Sequence, residues 1–278
     1  MQGKRQQCVM TPTVEPFLKW AGGKRWLVRR HSNLFPTNYN RYVEPFVGSG
    51  AVFFQLQPKR SILADTNSEL IDTYRAVRAY PCDIAKTLKR YHGRHSATFY
   101  YNMRLATPLT VVERAARFIY LNRVCWNGLY RVNLKGQFNV PIGTKTEVRF
   151  PDGFLEHRAR LLRRARLVHS DFERIIDGAT RGDFVYVDPP YTITHNNNGF
   201  LKYNEVLFTW ADQIRLADAV RRAKKRGAKL MVTNAAHKSV IDLYAGFAHV
   251  TSVRRNSVIA ADSAFRGRLE EVIFTTNF

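Results

Sequence analysis

The hydrophobic pattern of the chain alternates short strand-like runs with helical periods. Arg41 to Phe46 has strand character, Val47-Gly48-Ser49-Gly50 breaks it, and the apolar run Ala51 to Leu56 predicts a helix. Arg60 to Ala64 predicts a second strand ending at Asp65, after which Asn67 or Ser68 can cap a helix running towards Ala79. From Pro81 to about Arg123 the period is mostly helical, with Val111, Ala115, Phe118 and Ile119 on one face. Trp126 to Pro151 differs. There Gly128, Gly136, Pro141 and Gly143 punctuate polar and aromatic residues, and Leu134-Lys135-Gly136-Gln137 suits a hairpin tip, so this stretch predicts an inserted β-rich module.

The αβ alternation then resumes. A basic helix is predicted near Phe154 to Arg164, followed by strands at Arg166 to His169 and Phe184 to Val187; the second stops at Asp188-Pro189-Pro190-Tyr191. Trp210 to Arg226 predicts a helix with Trp210, Ile214, Ala217 and Val220 facing the core and Arg215, Arg222, Lys225 and Arg226 on a solvated back. Lys229 to Thr233, Phe247 to Arg254 and Glu271 to Thr276 complete about seven strands. The expected fold class is α/β: a Rossmann-like, doubly wound, mainly parallel sheet with one inserted helical and hairpin domain and a ligand at the carboxyl ends of its strands.

With 278 residues, 45% hydrophobic and 13% aromatic, the chain can bury a generous core, which excludes a mainly disordered protein. No apolar run approaches the ~18 residues needed to cross a bilayer, and Met1 to Met10 lacks the apolar centre of a signal peptide. A cytoplasmic protein without a membrane partner is expected. Cys8, Cys82 and Cys125 are few and scattered, so they read as reduced thiols. His92 and His95 could pair on a helix, but no carboxylate or cysteine completes a metal set, so they read as solvent-facing and no metal is expected. Forty-four Lys and Arg against 22 Asp and Glu give a formal charge of +22. That excess favours a polyanion, nucleic acid ahead of a membrane surface, because neutralised phosphates release counterions; a generally basic surface kept for solubility is the bland alternative.

Three features carry chemistry. The Phe46 to Gly50 turn lets a ligand approach the backbone, yet it lacks both the third glycine of a dinucleotide fingerprint and the Lys-Ser/Thr of a P-loop. Asp65, at the end of the next strand, can accept hydrogen bonds from a ribose diol or serve as a helix N-terminal acid. Asp188-Pro189-Pro190-Tyr191 is the most specific: two prolines fix φ and leave carbonyls as acceptors. The Asp188 carboxylate and Pro189 carbonyl could accept from an exocyclic amine, with Tyr191 stacking on a base.

Together with Phe17-Leu18-Lys19-Trp20-Ala21-Gly22-Gly23-Lys24, Glu44-Pro45-Phe46-Val47-Gly48-Ser49-Gly50, Ala64-Asp65-Thr66-Asn67 and Asn127-Gly128-Leu129-Tyr130-Arg131, this corner resembles, in order, the motifs of Dam-type DNA adenine N6-methyltransferases of the D12 class, α group. The nearer likeness is to enzymes that accompany GATC-specific restriction systems, and it runs from about Glu15 to the C-terminus. The resemblance implies a catalytic domain over 12–80 and 151–278 and a target-recognition domain over 81–150. It implies S-adenosylmethionine as methyl donor, held by Trp20, Lys24, Asp65 and Asp188 with Phe46, Gly48 and Gly50 lining its site. It also implies double-stranded DNA as partner, with Asn127, Leu129, Arg131 and Pro141 near the target bases.

Adenine N6 is buried in a duplex, so modifying it requires the base to be flipped out. Arg131 has an argument of its own, since a guanidinium can donate two hydrogen bonds to guanine; phosphate binding is its alternative. Trp126 could wedge into the stack left by the adenine or be a core residue. The polar loop Thr192 to Gly199 could order around the flipped base, while Gly143-Thr144-Lys145-Thr146 diverges from the usual continuation, which leaves GATC or a related site as the target. A monomer with a functional link to a restriction endonuclease is expected. An RNA base methyltransferase and a catalytically silent DNA-binding subunit are the competing readings.

Overall fold

The computed structural model describes residues 14–133, 135–191, 208–256 and 268–278. Helix α1 (Arg25–Arg30) precedes strand β1 (Arg41–Glu44), the glycine turn and α2 (Ala51–Leu56). Strand β2 (Ser61–Asp65) leads into α3 (Ser68–Ala79), whose cap is Asn67: its side chain accepts a hydrogen bond from the Leu70 amide at 3.0 Å. Three helices follow, α4 (Pro81–Gly93), α5 (Ala97–Leu105) and α6 (Val111–Val124), with Thr110 capping the last. After the hairpin region come α7 (Phe154–Leu162), β3 (Ala165–His169), α8 (Phe172–Asp177) and β4 (Asp183–Val187). The chain closes with α9 (Trp210–Lys225), β5 (Lys229–Ala235), α10 (Lys238–Tyr244), β6 (His249–Asn256) and β7 (Arg268–Thr276).

These strands form one seven-stranded sheet in the order β3-β2-β1-β4-β5-β7-β6, parallel except where β7 inserts antiparallel between β5 and β6. Residues of β4 alternate between two apolar layers: Phe184 and Tyr186 enter one core, Val185 and Val187 the other. Both faces are therefore covered, which is why Phe184 to Val187 reads as a continuous apolar run. Strand addition reverses direction between β1 and β4, opening a crevice at their carboxyl ends. Helices α4 to α6 share the first core with the sheet: Leu88, Tyr100 and Ile119 fall in one cluster with Tyr42 and Leu63.

Several expectations change. Among the described residues, Trp126 to Phe150 contains no strand; two isolated antiparallel bridges, Cys125 with Ile142 and Val132 with Phe138, hold it as an irregular hairpin. Main-chain bonds such as Asn139 N–H to the Arg131 carbonyl share the work with side chains: the Asn133 carboxamide accepts from the Lys135 and Gln137 amides, and Tyr100 donates to the Val140 carbonyl. On α9, Trp210 and Ile214 are exposed, and the buried stripe runs through Gln213, Leu216, Ala217, Val220 and Ala223. Gln213 turns inward because its carboxamide accepts from Asn234 at 3.1 Å. The basic back of α9 is exposed and also ion-paired: Arg215 and Arg222 meet Asp171, Glu173 and Asp177 around α8. His95 is not simply solvent-facing: its Nδ1 lies 2.9 Å from the Tyr120 hydroxyl. Cys82 and Cys125 are free thiols, Cys125 buried and its pKa pushed up to about 12 by that burial; Cys8 lies outside the described residues, as does the loop Thr192 to Gly199. Among the described residues no helix is long and apolar enough to cross a membrane.

Candidate active site

The glycine turn is built by backbone conformation. Gly48 and Gly50 have φ of 45° and 66°, in the region that a Cβ makes costly. A Cβ on Gly48 would also stand 2.7 Å from Trp20 Cδ1, so the missing side chain is what lets the indole lie against the turn. The Asp65 carboxylate ties the turn to β2: one oxygen accepts from the Gly48 amide at 3.1 Å, the other from the Asn67 amide at 3.0 Å. Because Asn67 caps α3, Asp65 is not needed as that helix's cap. Burial raises its pKa, and the Asn67, Gly48 and Thr66 amides oppose the shift by stabilising the anion. The carboxylate as a whole retains acceptor capacity for a donor from a ligand.

The second cluster surrounds Asp188, one residue beyond β4. Lys24 Nζ lies 2.9 Å from Asp188 Oδ1, 3.0 Å from the Gly22 carbonyl and 3.7 Å from a Glu271 carboxylate oxygen. Lys24 is only 2% exposed and Asp188 20%. Burial alone would lower the Lys24 pKa, but the charges of Asp188 and Glu271 more than offset it and hold the ammonium above its ordinary value. The ammonium also sits 5.0 Å from the centre of the Tyr191 ring. Thr233 Oγ1 donates to Asp188 Oδ1 at 2.7 Å. Lys24 is thus committed to protein partners, and it could meet a ligand carboxylate only by yielding one of them.

Phe46 stacks on Phe172 with centroids 5.3 Å apart and meets Phe208 edge-on, forming an apolar wall beside the turn. Trp20 stacks on Tyr130 at 5.4 Å, which joins the first cluster to the hairpin. Asn122, fully buried, strengthens that link: its side chain accepts from the Lys19 amide and donates to the Lys19 and Gly128 carbonyls. On the hairpin, Trp126 is 47% exposed, which removes the core-residue reading for it. Its amide donates to the Pro141 carbonyl, and the next residue, Asn127, has φ of 55°. Leu129 packs against the first core, and Arg131 Nε donates to the Asn139 side chain at 2.8 Å. Beside this segment Lys19, Arg123, Thr144 and Lys145 line an open cleft. Burial, reinforced by neighbouring Lys145, lowers the Lys19 pKa to about 8.

The sequence-derived residues therefore fall into linked groups: Trp20, Gly48 and Asp65 around the turn, Lys24, Asp188 and Tyr191 at the proline corner, and Trp126 to Arg131 on the hairpin. Sequence reasoning missed Thr233, Glu271, Lys19 and Asn122. The available signals were faint: a hydroxyl ending the apolar run Leu230 to Val232, and an acid opening the run Val272 to Phe274. Among the described residues no group of His, Cys, Asp and Glu could hold a metal.

Residues 20–258 match the family described as D12 class N6 adenine-specific DNA methyltransferase. The chain is 35% identical to the Type II methyltransferase M1.LlaDCHI of Lactococcus lactis subsp. cremoris, over 94% of this chain and 95% of that one. It is 37% identical to the Type II methyltransferase M.MjaIII of Methanocaldococcus jannaschii, over 84% and 89%, and 33% identical to the DNA adenine methylase of Haemophilus influenzae, over 98% and 97%. A doubly wound sheet ending in the Asp188 to Tyr191 corner, and similarity along nearly the whole chain, lead to one conclusion: the protein belongs to the D12 class of N6 adenine-specific DNA methyltransferases.

Proposed function

We propose that the enzyme methylates N6 of an adenine flipped out of duplex DNA, with S-adenosylmethionine as donor, within GATC or a related site. The observation that carries this reading is the grouping of the glycine turn, Asp65 and Asp188 at the carboxyl ends of β1, β2 and β4, beside the strand-order reversal. The residues suit the donor. The cradle that a Cβ on Gly48 would fill lies against Trp20, and Asp65 keeps acceptor capacity for a ribose diol. When bound, the donor supplies an electrophilic sulfonium methyl.

The protein's own work is then to orient the acceptor. Asp188 and the Pro189 carbonyl accept the two N–H groups of N6, which aims the nitrogen lone pair at the methyl carbon; proximity and alignment supply most of the effect. Pro189 and Pro190 hold that geometry because their φ is fixed. Tyr191 stacks on the extruded ring, and Lys24 sets a positive charge 2.9 Å from the Asp188 carboxylate. On transfer, with the C–S electron pair left on the donor's sulfur, Asp188 or water would take the proton that N6 gives up. Arg131 reads a guanine edge, Trp126 fills the vacated stack, and Asn127, Leu129 and Pro141 lie along the neighbouring bases. The 81–150 segment is the target-recognition unit in this reading, and the relatives called Type II methyltransferases favour a link to a restriction endonuclease.

The test is transfer of labelled methyl from S-adenosylmethionine to duplexes containing GATC and single-base variants of it, with RNA in parallel, for the wild type and Asp188→Ala. Label on DNA adenine that disappears in the variant is expected. Label confined to RNA, or undiminished transfer by Asp188→Ala, refutes the proposal; unselective labelling refutes the target alone. Fluorescence of 2-aminopurine at the target position should rise on binding, and no change there would sink the flipped base.

A further inference from the structure

We infer that Thr233 is a positioning residue for methyl transfer: by holding one oxygen of Asp188 it assigns the other, Oδ2, to the adenine amine. This rests on the proposed role of Asp188 and deepens it. The parallel register pairs Val187 of β4 with Val232 of β5, so the next residues on each strand, Asp188 and Thr233, are brought side by side at the carboxyl edge of the sheet. Thr233 is fully buried, and its neighbour Val232 faces the opposite core.

A hydroxyl has a single proton to donate. Here two acceptors lie within reach, Asp188 Oδ1 at 2.7 Å and the Val187 carbonyl at 3.4 Å, and the shorter, charged one takes it. Lys24 Nζ addresses the same Oδ1 at 2.9 Å, while Glu271 and the Gly22 carbonyl hold Lys24 from its other sides. Both donors thus converge on one oxygen, and among the described residues none reaches Oδ2. A carboxylate anchored through one oxygen by two independent donors cannot rotate without losing both. Its second oxygen is left to accept from outside, in the partly exposed direction consistent with Asp188 being 20% accessible.

Lys24 supplies charge but sits on a flexible stem, whereas Thr233 projects from a rigid central strand, so the two have separable tasks. Removing the Thr233 hydroxyl should leave the Lys24 contact in place but take away the second tether on the carboxylate. The loss would fall on alignment in the transition state and not on binding.

The experiment compares Thr233→Val, Thr233→Ser and Asp188→Ala in single-turnover methylation of duplex DNA, with S-adenosylmethionine affinity and DNA affinity measured separately. Thr233→Val should lower the methyl-transfer rate by roughly ten- to a hundred-fold, the scale of a misplacement near 1 Å, with both affinities unchanged. Thr233→Ser, which keeps the donor, should restore most of the rate. A wild-type rate in Thr233→Val, or an equal loss in Thr233→Ser, overturns the inference, as does a loss that falls entirely on cofactor or DNA affinity. If Thr233→Val shows no cooperative melting transition, Thr233→Cys takes its place; a thiol is a weak donor, so a rate equal to that of Thr233→Ser would overturn the inference. Undiminished transfer by Asp188→Ala would instead remove the reading on which this one stands.

Discussion

Substituting alanine at three glycines separates conformational strain from steric contact at the turn. Gly48, Gly50 and Gly246 all have positive φ, at 45°, 66° and 78°. For any residue with a Cβ that region costs about 1–2 kcal/mol. At Gly246 a Cβ meets nothing within 4 Å, so Gly246→Ala should lose only that amount. At Gly50 the nearest atom is the Tyr74 hydroxyl oxygen, 3.0 Å away, which itself donates to the Gly48 carbonyl. Disturbing that bond adds about 0.5–1.5 kcal/mol. At Gly48 the Cβ would stand 2.7 Å from Trp20 Cδ1 and 3.1 Å from its Nε1. The indole cannot recede easily, being stacked on Tyr130, so an overpacking cost of about 1–3 kcal/mol adds to the strain. The expected order of destabilisation in urea is Gly48→Ala, then Gly50→Ala, then Gly246→Ala. In calorimetric titration Gly48→Ala should also lose S-adenosylmethionine affinity out of proportion, while Gly246→Ala keeps it. Equal destabilisation of all three, or normal cofactor affinity in a folded Gly48→Ala, would refute the assignment of Trp20 and the turn to the donor site.

Three further outcomes are expected. Lys24→Met leaves Asp188 and Glu271 without their buried cation and should cost about 3–5 kcal/mol near neutral pH. A loss below about 1 kcal/mol in urea melts, the scale of an exposed pair, would contradict the buried pairing. Arg131→Ala should reduce discrimination at one base pair by about 1–3 kcal/mol in competition binding, and a loss equal across all sequences would assign Arg131 to a phosphate. DNA phosphate near Lys19 should raise its pKa from about 8, so binding at pH 8 takes up protons and affinity falls as pH rises further. Calorimetry in buffers of different ionisation enthalpy checks this, and buffer-independent heats would place Lys19 away from the DNA.

How much of this was legible beforehand depends on whether the signal was local. Strands such as Phe184 to Val187, the Asn67 cap, the glycine turn and the proline corner are written in consecutive residues, because backbone conformation, capping and two-faced burial act over a few positions. The four-residue corner beginning at Asp188 and the turn at Gly48 could be assigned chemistry for the same reason. The orientation of α9 could not, because the inward turn of Gln213 depends on Asn234, a residue of another strand. The hairpin region carries two bridges and no strand among the described residues, and the sharing of its hydrogen bonds between main chain and the side chains of Asn133 and Tyr100 leaves no pattern in consecutive residues.

The sequence by itself determined the order of elements, the two covered faces of the sheet and the chemical groups available at its edge. Only the tertiary structure decided which of those groups meet: Thr233 beside Asp188 through strand register, Glu271 behind Lys24 through an antiparallel strand, and Asn122 between Lys19 and Gly128. Such pairings join residues far apart in the chain. Their partners are selected by register and packing, which no local pattern of polar and apolar positions encodes.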